Sequence, residues 1–173
     1  GSALEHAGYT DDFISPAALE LDNAQVTNGC LDADGPAYKA ILLDNETTIP
    51  QAAAEKLLEY AQAGLPVIFI GTMPTESAYS GENTVAQIME QLKAYDCVKQ
   101  VASTAEVPAV LADMGVESAA RYDATLLHVH RQNENADFYY LYNDANASDY
   151  RKAKTGAAVE TTVTLEGNGV PSQ

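Results

Sequence analysis

Two carboxylates, Asp44 and Glu46, stand two residues apart in the stretch LLDNETT. So close together, they are candidates for an acid–base pair or for oxygen ligands to a cation. The plainer reading makes them solvated loop acids ahead of a helix, where negative charge is favoured. His128 and His130 are also two apart, hence on one face of any strand that carries them. Such a pair can begin a metal site, but no third ligand is evident nearby; packed histidines are the simpler alternative. Arg131 and Asp137 flank a polar turn and are expected to pair across it, for little gain if exposed. Tyr139, Tyr140 and Tyr142 follow; aromatics at this spacing stack on sugars or, more often, pack across strands as core. Cys30 and Cys97 lack metal-ligand spacing, which leaves either a disulfide or two separate thiols.

The elements that must position these residues are organised around Tyr38 to Gly71. Tyr38 to Leu43 is a short apolar run of the kind buried on both faces of a parallel sheet. Ala54, Leu57, Leu58 and Ala61 fall at i, i+3, i+4 and i+7, one apolar stripe on a helix. Thr48 with Gln51 fits a capping box, unless Pro50 takes the first helical position, and Gly64 ends the helix. Val67 to Ile70 is the next strand. In such strand–helix–strand units ligands sit beyond the C-terminal strand ends, here Asp44 to Glu46 and Gly71 to Met73. Gly71 lacks the further glycines of a dinucleotide fingerprint, and neither a P-loop nor a nucleophile elbow occurs. Cys97 precedes a predicted strand, so it lacks the strand-to-helix geometry of a glutaminase cysteine. No cofactor is expected.

Further along, Val85, Ile88, Met89 and Leu92 predict a second helix, with Thr84 and Gln87 as its capping box. Val98 to Ala102 is a third strand, and Val107, Val110, Leu111 and Met114 a third helix closed by Gly115. The alternation predicts a three-layer flavodoxin-like or Rossmann-like α/β fold over residues 16–122. Residues 123–173 change character. Thr125 to Arg131 and Asp137 to Asn143 form a hairpin around Asn133 to Asn135, and Val159 to Leu165 alternates as a half-wet strand. These predict the opening of a β-sandwich. Residues 1–15 read as an irregular lead-in: Gly1-Ser2 resembles a protease scar, followed by a linker from a preceding domain. Pro16 to Leu21 reads as one helical turn, and Thr27 to Pro36 as a loop.

Composition narrows the partners. Twenty-five acidic residues against nine basic give a formal net charge of -16, and basic residues form no cluster. Such a surface argues against nucleic acid and against anionic membranes. No apolar run approaches the roughly 20 residues needed to span a bilayer. The 46% apolar content suits a chain that buries a sizeable core.

The segment LLHVHRQNENADFYYLYND, residues 126–144, resembles the "HR, short polar turn, DxYYxxN" hairpin of glycoside hydrolase family 106, the α-L-rhamnosidase-like enzymes. His130, Arg131, Asp137, Tyr139, Tyr140 and Asn143 carry that likeness. YKAILLDNETTIPQAAAEKLLEYAQAGLPVIFIG is similar to the amidotransferase-like domain that follows the catalytic barrel in such proteins, and YTDDFISPAAL resembles the linker leaving the barrel. The resemblance implies a glycosidase parent working with two carboxylates located in the barrel. It therefore implies no catalytic residue here, and the chain would be an accessory domain. Its partners would be the other domains of the parent, with self-association a further option. The parent's compartment stays undetermined, a secreted or cell-surface one included. The alternative is a stand-alone small-molecule binding domain using the loops at Asp44, Glu46 and Gly71.

Overall fold

The apolar runs of residues 41–43 and Val67–Ile70 pair in a parallel sheet that buries the second on both faces. The computed structural model describes residues 2–79, 81, 83–123, 126–143, 158 and 160–167. The chain divides into two compact units, one of Phe13–Val116 and one of Gly1–Asp12 with Glu117–Gln173.

In the Phe13–Val116 unit, β3 (Ile41–Asp44), β5 (Val67–Ile70) and β7 (Val98–Val101) pair in parallel, with β5 central. Ile41 lies opposite Val67, and Val67 opposite Val98. Every residue of β5 is buried, as a central strand covered on both faces demands. The flanking strands are wetter. Leu42 is only half-buried, and Lys99 and Gln100 of β7 face out. Helix α2 (Gln51–Gln62) buries Ala53, Ala54, Leu57, Tyr60 and Ala61, and it packs against α3 (Val85–Leu92). Leu58, expected in the stripe, is half-buried, while Tyr60 is 1% exposed. The Tyr60 hydroxyl shares its one proton between the carbonyls of Leu19 and Ala24, 3.0 and 2.9 Å away, tying the 3-10 turn Pro16–Glu20 to α2. Its phenol is pushed up to about 12, by burial first and the Glu59 charge second.

Several local expectations are corrected. Neither capping box forms. Thr48 is drawn into a two-residue parallel pairing, β4 (Thr48–Ile49) with β6 (Glu76–Ser77), and Pro50 sits at the helix cap. At α3 the Asn83 side chain, rather than Thr84, accepts from the Val85 amide at 3.3 Å and from Ser77 at 3.2 Å. Tyr38 lies outside β3 and bridges back to Leu31 instead. The loop expected from Thr27 contains a tight ribbon, β1 (Val26–Thr27) against β2 (Cys30–Leu31). Helix α4 (Val107–Asp113) closes the unit after a 3-10 turn at Thr104–Glu106.

The second unit is antiparallel. β9 (Leu126–Gln132) and β10 (Asp137–Asn143) make the expected hairpin, Gln132 opposite Asp137 and Leu126 opposite Asn143. Its turn is closed by the Asn133 side chain, which accepts from the Asn135 and Ala136 amides. β8 (Ala120–Tyr122) pairs with β11 (Val163–Leu165), a shorter element than the predicted alternating strand, part of which lies outside the described residues. Within the lead-in Ser2 caps a one-turn helix, α1 (Ala3–His6), in a capping box with Glu5, and Leu4 is buried, while residues 9–15 carry no regular structure. Gly8, at φ +85, lets the chain pass where a Cβ would lie 1.6 Å from the Ala120 carbonyl oxygen.

Candidate functional site

Two places collect the chemistry-bearing residues, one in each unit. In the parallel unit the strands run β3, β5, β7 in sequence order, so these three strands contain no reversal of order to open a crevice at their C-terminal ends. The loops there bond to one another. The Asn45 amide donates to Ile70 and the Gly71 amide to Val101, both at 2.8 Å. Gln100 donates its side-chain amide to the Gly71 carbonyl at 2.7 Å. Asn45 adopts φ 54 and its side chain donates to Asp44. Gly71, at φ +72, is a glycine because a Cβ there would meet the Asn45 side-chain oxygen at 1.9 Å. Asp44 and Glu46 are both exposed, and Asp44 contacts its neighbour's amide. The space beside Gly71 is thus taken by Asn45.

A groove of about 640 Å³ opens at the other end of the sheet, lined by Gly64, Pro66, Cys97, Lys99 and Met114 among others. Cys97 precedes β7 as expected; it is a free thiol that donates to the Ala61 carbonyl, and burial pushes its pKa up. That is the opposite of an activated nucleophile. Cys30 is free as well.

In the antiparallel unit the hairpin sorts its residues by parity. One face carries His128, His130, Asp137 and Tyr139; the other carries Val129, Arg131, Phe138, Tyr140 and Tyr142. His130 Nε2 lies 2.8 Å from Asp137 Oδ1, and its ring stacks on Tyr139 with centroids 4.3 Å apart and planes 4° from parallel. The Tyr139 hydroxyl donates to the Glu166 carbonyl at 2.6 Å, and its phenol is raised by burial, then by Asp137 and Glu166. This corrects the expected Arg131–Asp137 pair. Gln132 faces Asp137 across the turn, so the diagonal neighbour on the same face is His130. Arg131 lies on the opposite face and donates to the His130 carbonyl.

His128 is 7% exposed. Its Nδ1 lies 3.3 Å from the Tyr122 hydroxyl, which donates to the Glu5 carbonyl at 3.0 Å. Burial, then the neighbouring His130, lowers its pKa. Among the described residues no group of three or more His, Cys, Asp or Glu side chains is placed to hold a metal ion. The other hairpin face is the surprise. Tyr140 and Tyr142, expected as core, are 68% and 43% exposed with ring centroids 6.3 Å apart, and Phe138 is 56% exposed. Asn143 ends the strand opposite Leu126 and is exposed. The signal that separates the two faces was present in the sequence, in the parity of residues 128–132 and 137–142.

Fold and site together define a mixed α/β chain: a parallel three-stranded sheet in one unit, and antiparallel hairpins in the other whose polar groups largely satisfy one another. The family model for glycoside hydrolase family 106, alpha-L-rhamnosidase, matches residues 3–159, and the chain belongs to that family. No curated protein and no solved structure matches it.

Proposed function

We propose that this chain is an accessory, non-catalytic part of an α-L-rhamnosidase-like parent, and that it works by holding other domains of that parent in place. The observation that carries this reading is the row Phe138, Tyr140 and Tyr142, exposed on the outer face of the β9–β10 hairpin, where Leu127 at one end is buried. A two-stranded hairpin is marginal in water unless one face is covered. Here the inner face is filled by His128, His130 and Tyr139, while Phe138, Tyr140 and Tyr142 stand exposed on the outer one. Aromatics in such a row supply contact area at small entropic cost. The face suits a second sheet packed about 10 Å away, as in a β-sandwich whose remaining strands come from the parent. The Phe13–Val116 unit takes the part of a flavodoxin-like, amidotransferase-like domain. Its parallel strands, its strand ends occupied by their own hydrogen bonds and a cysteine ahead of a strand rather than after one support that role.

The chemistry of glycoside cleavage also favours it. Most such enzymes set two carboxyl groups about 5–9.5 Å apart across the scissile bond. At the hairpin the carboxylate of Asp137 meets a histidine instead. Binding of the separately produced remainder of the parent polypeptide, followed by calorimetry, tests the interface. The wild-type chain should bind, and Tyr140→Ser/Tyr142→Ser should bind at least tenfold more weakly. Equal binding by both would remove the hairpin face from the interface.

A further inference from the structure

The Tyr122 hydroxyl has one proton and donates it to the Glu5 carbonyl, which can only accept. Towards His128 the same oxygen must therefore accept, so the proton of the neutral imidazole sits on Nδ1. This assignment leaves a bare lone pair on His128 Nε2. That atom is buried and has no hydrogen-bond partner among the described residues. A bare acceptor in an apolar setting is tolerable; a buried N–H carrying positive charge without an acceptor is far worse.

We propose that His128 is an acid-sensitive latch, which when neutral fastens the N-terminal turn α1 to the hairpin through Tyr122 and when protonated on Nε2 releases it. The proton comes from solvent, and no covalent bond breaks. Glu5 and Tyr122 lie 117 residues apart in sequence, so the hydroxyl bridge is a long-range clasp. The titratable groups around the ring reinforce the effect or are already engaged. His130, two residues along the same strand, adds like charge when protonated. Tyr139 on β10 presents its ring, centroid 6.4 Å away, and Asp137 beyond it is bonded to His130. From α1 come the Glu5 carbonyl, its carboxylate turned back to the Ser2 amide, and His6.

The sign follows from the buried Nε2, which has no acceptor for an added proton among the described residues, and burial lowers the folded-state pKa accordingly. Below the unfolded value of about 6.5 the released state binds the proton and the latched state does not. Acid therefore opens the latch, by up to about tenfold per pH unit until the folded pKa is reached. The test is hydrogen exchange at the Ala7, Gly8 and Tyr9 amides, which bond back to Ala3, Glu5 and Leu4. Corrected for intrinsic rates, their protection in the wild-type chain should fall as pH drops from 7 to 5. In His128→Asn, whose side-chain amide can still donate to Tyr122 without titrating, protection should stay level. His130→Gln should keep the acid response. An equal pH response in His128→Asn would overturn the proposal. If that variant does not fold, the titration of the wild-type His128 ring by NMR decides. A midpoint below 6.5 upholds the latch, and one at or above 6.5 refutes it.

Discussion

The two sheets use aromatic residues in opposite ways, although the parallel unit also leaves Phe13 and Tyr79 exposed outside its strands. In the parallel unit Phe69 and Tyr60 vanish into the core, and the one hydroxyl among them is satisfied twice. In the antiparallel unit the aromatics of one strand divide: Tyr139 turns inward to stack on His130, while Phe138, Tyr140 and Tyr142 face outward. The central parallel strand β5 is covered on both faces, so the core of that unit closes on itself. A lone hairpin has no such obligation, and Phe138, Tyr140 and Tyr142 on its outer face stay exposed. The contrast separates a region that stabilises itself from one that presents a surface.

The comparison can be broken first at the core. Phe69→Ala should destabilise the Phe13–Val116 unit by about 3–5 kcal/mol, since the side chain is fully buried. Urea unfolding measures it, and a loss below about 1 kcal/mol would mean the central strand is not the core. Gly71→Ala should cost about 1–3 kcal/mol, from its positive φ and the clash with Asn45. Adding Asn45→Gly should recover the steric part; no recovery would show that the strand-end loops do not interlock. Alkaline titration sharpens the same unit. With the Tyr60 phenol pushed up to about 12, the unfolded chain loses that proton first. Stability should therefore fall between pH 10 and 12 by up to about 1.4 kcal/mol per unit, and Tyr60→Phe should remove that share. Least of all should happen on the outer hairpin face. Tyr140→Ser should change stability by no more than about 0.5 kcal/mol, because the ring contributes to a surface rather than a core.

The parts legible in the sequence are those written in long periods. The α2 and α3 stripes, the three short apolar strands and the hairpin follow from spacings of 3.6 and 2. What escaped was set by contacts without a local period. Two- and three-residue strands such as β4, β6 and β8 are too short to show one. The bridge from Tyr122 to Glu5 joins residues no window spans. At the site, parity placed His128 and His130 together, but the off-by-one pairing of Arg131 with Asp137 ignored that neighbouring residues face apart. Asp44, Glu46 and Gly71 stand at strand ends, where a rule about ligand loops points. That rule depends on a change in strand order, and strand order is a tertiary property.

The central proposal is that this chain supports a glycosidase without being one. Incubating the purified chain with an aryl α-L-rhamnoside tests it most directly. The account predicts release of the aryl alcohol no faster than in buffer. Saturable hydrolysis that tracks the protein through purification would contradict it.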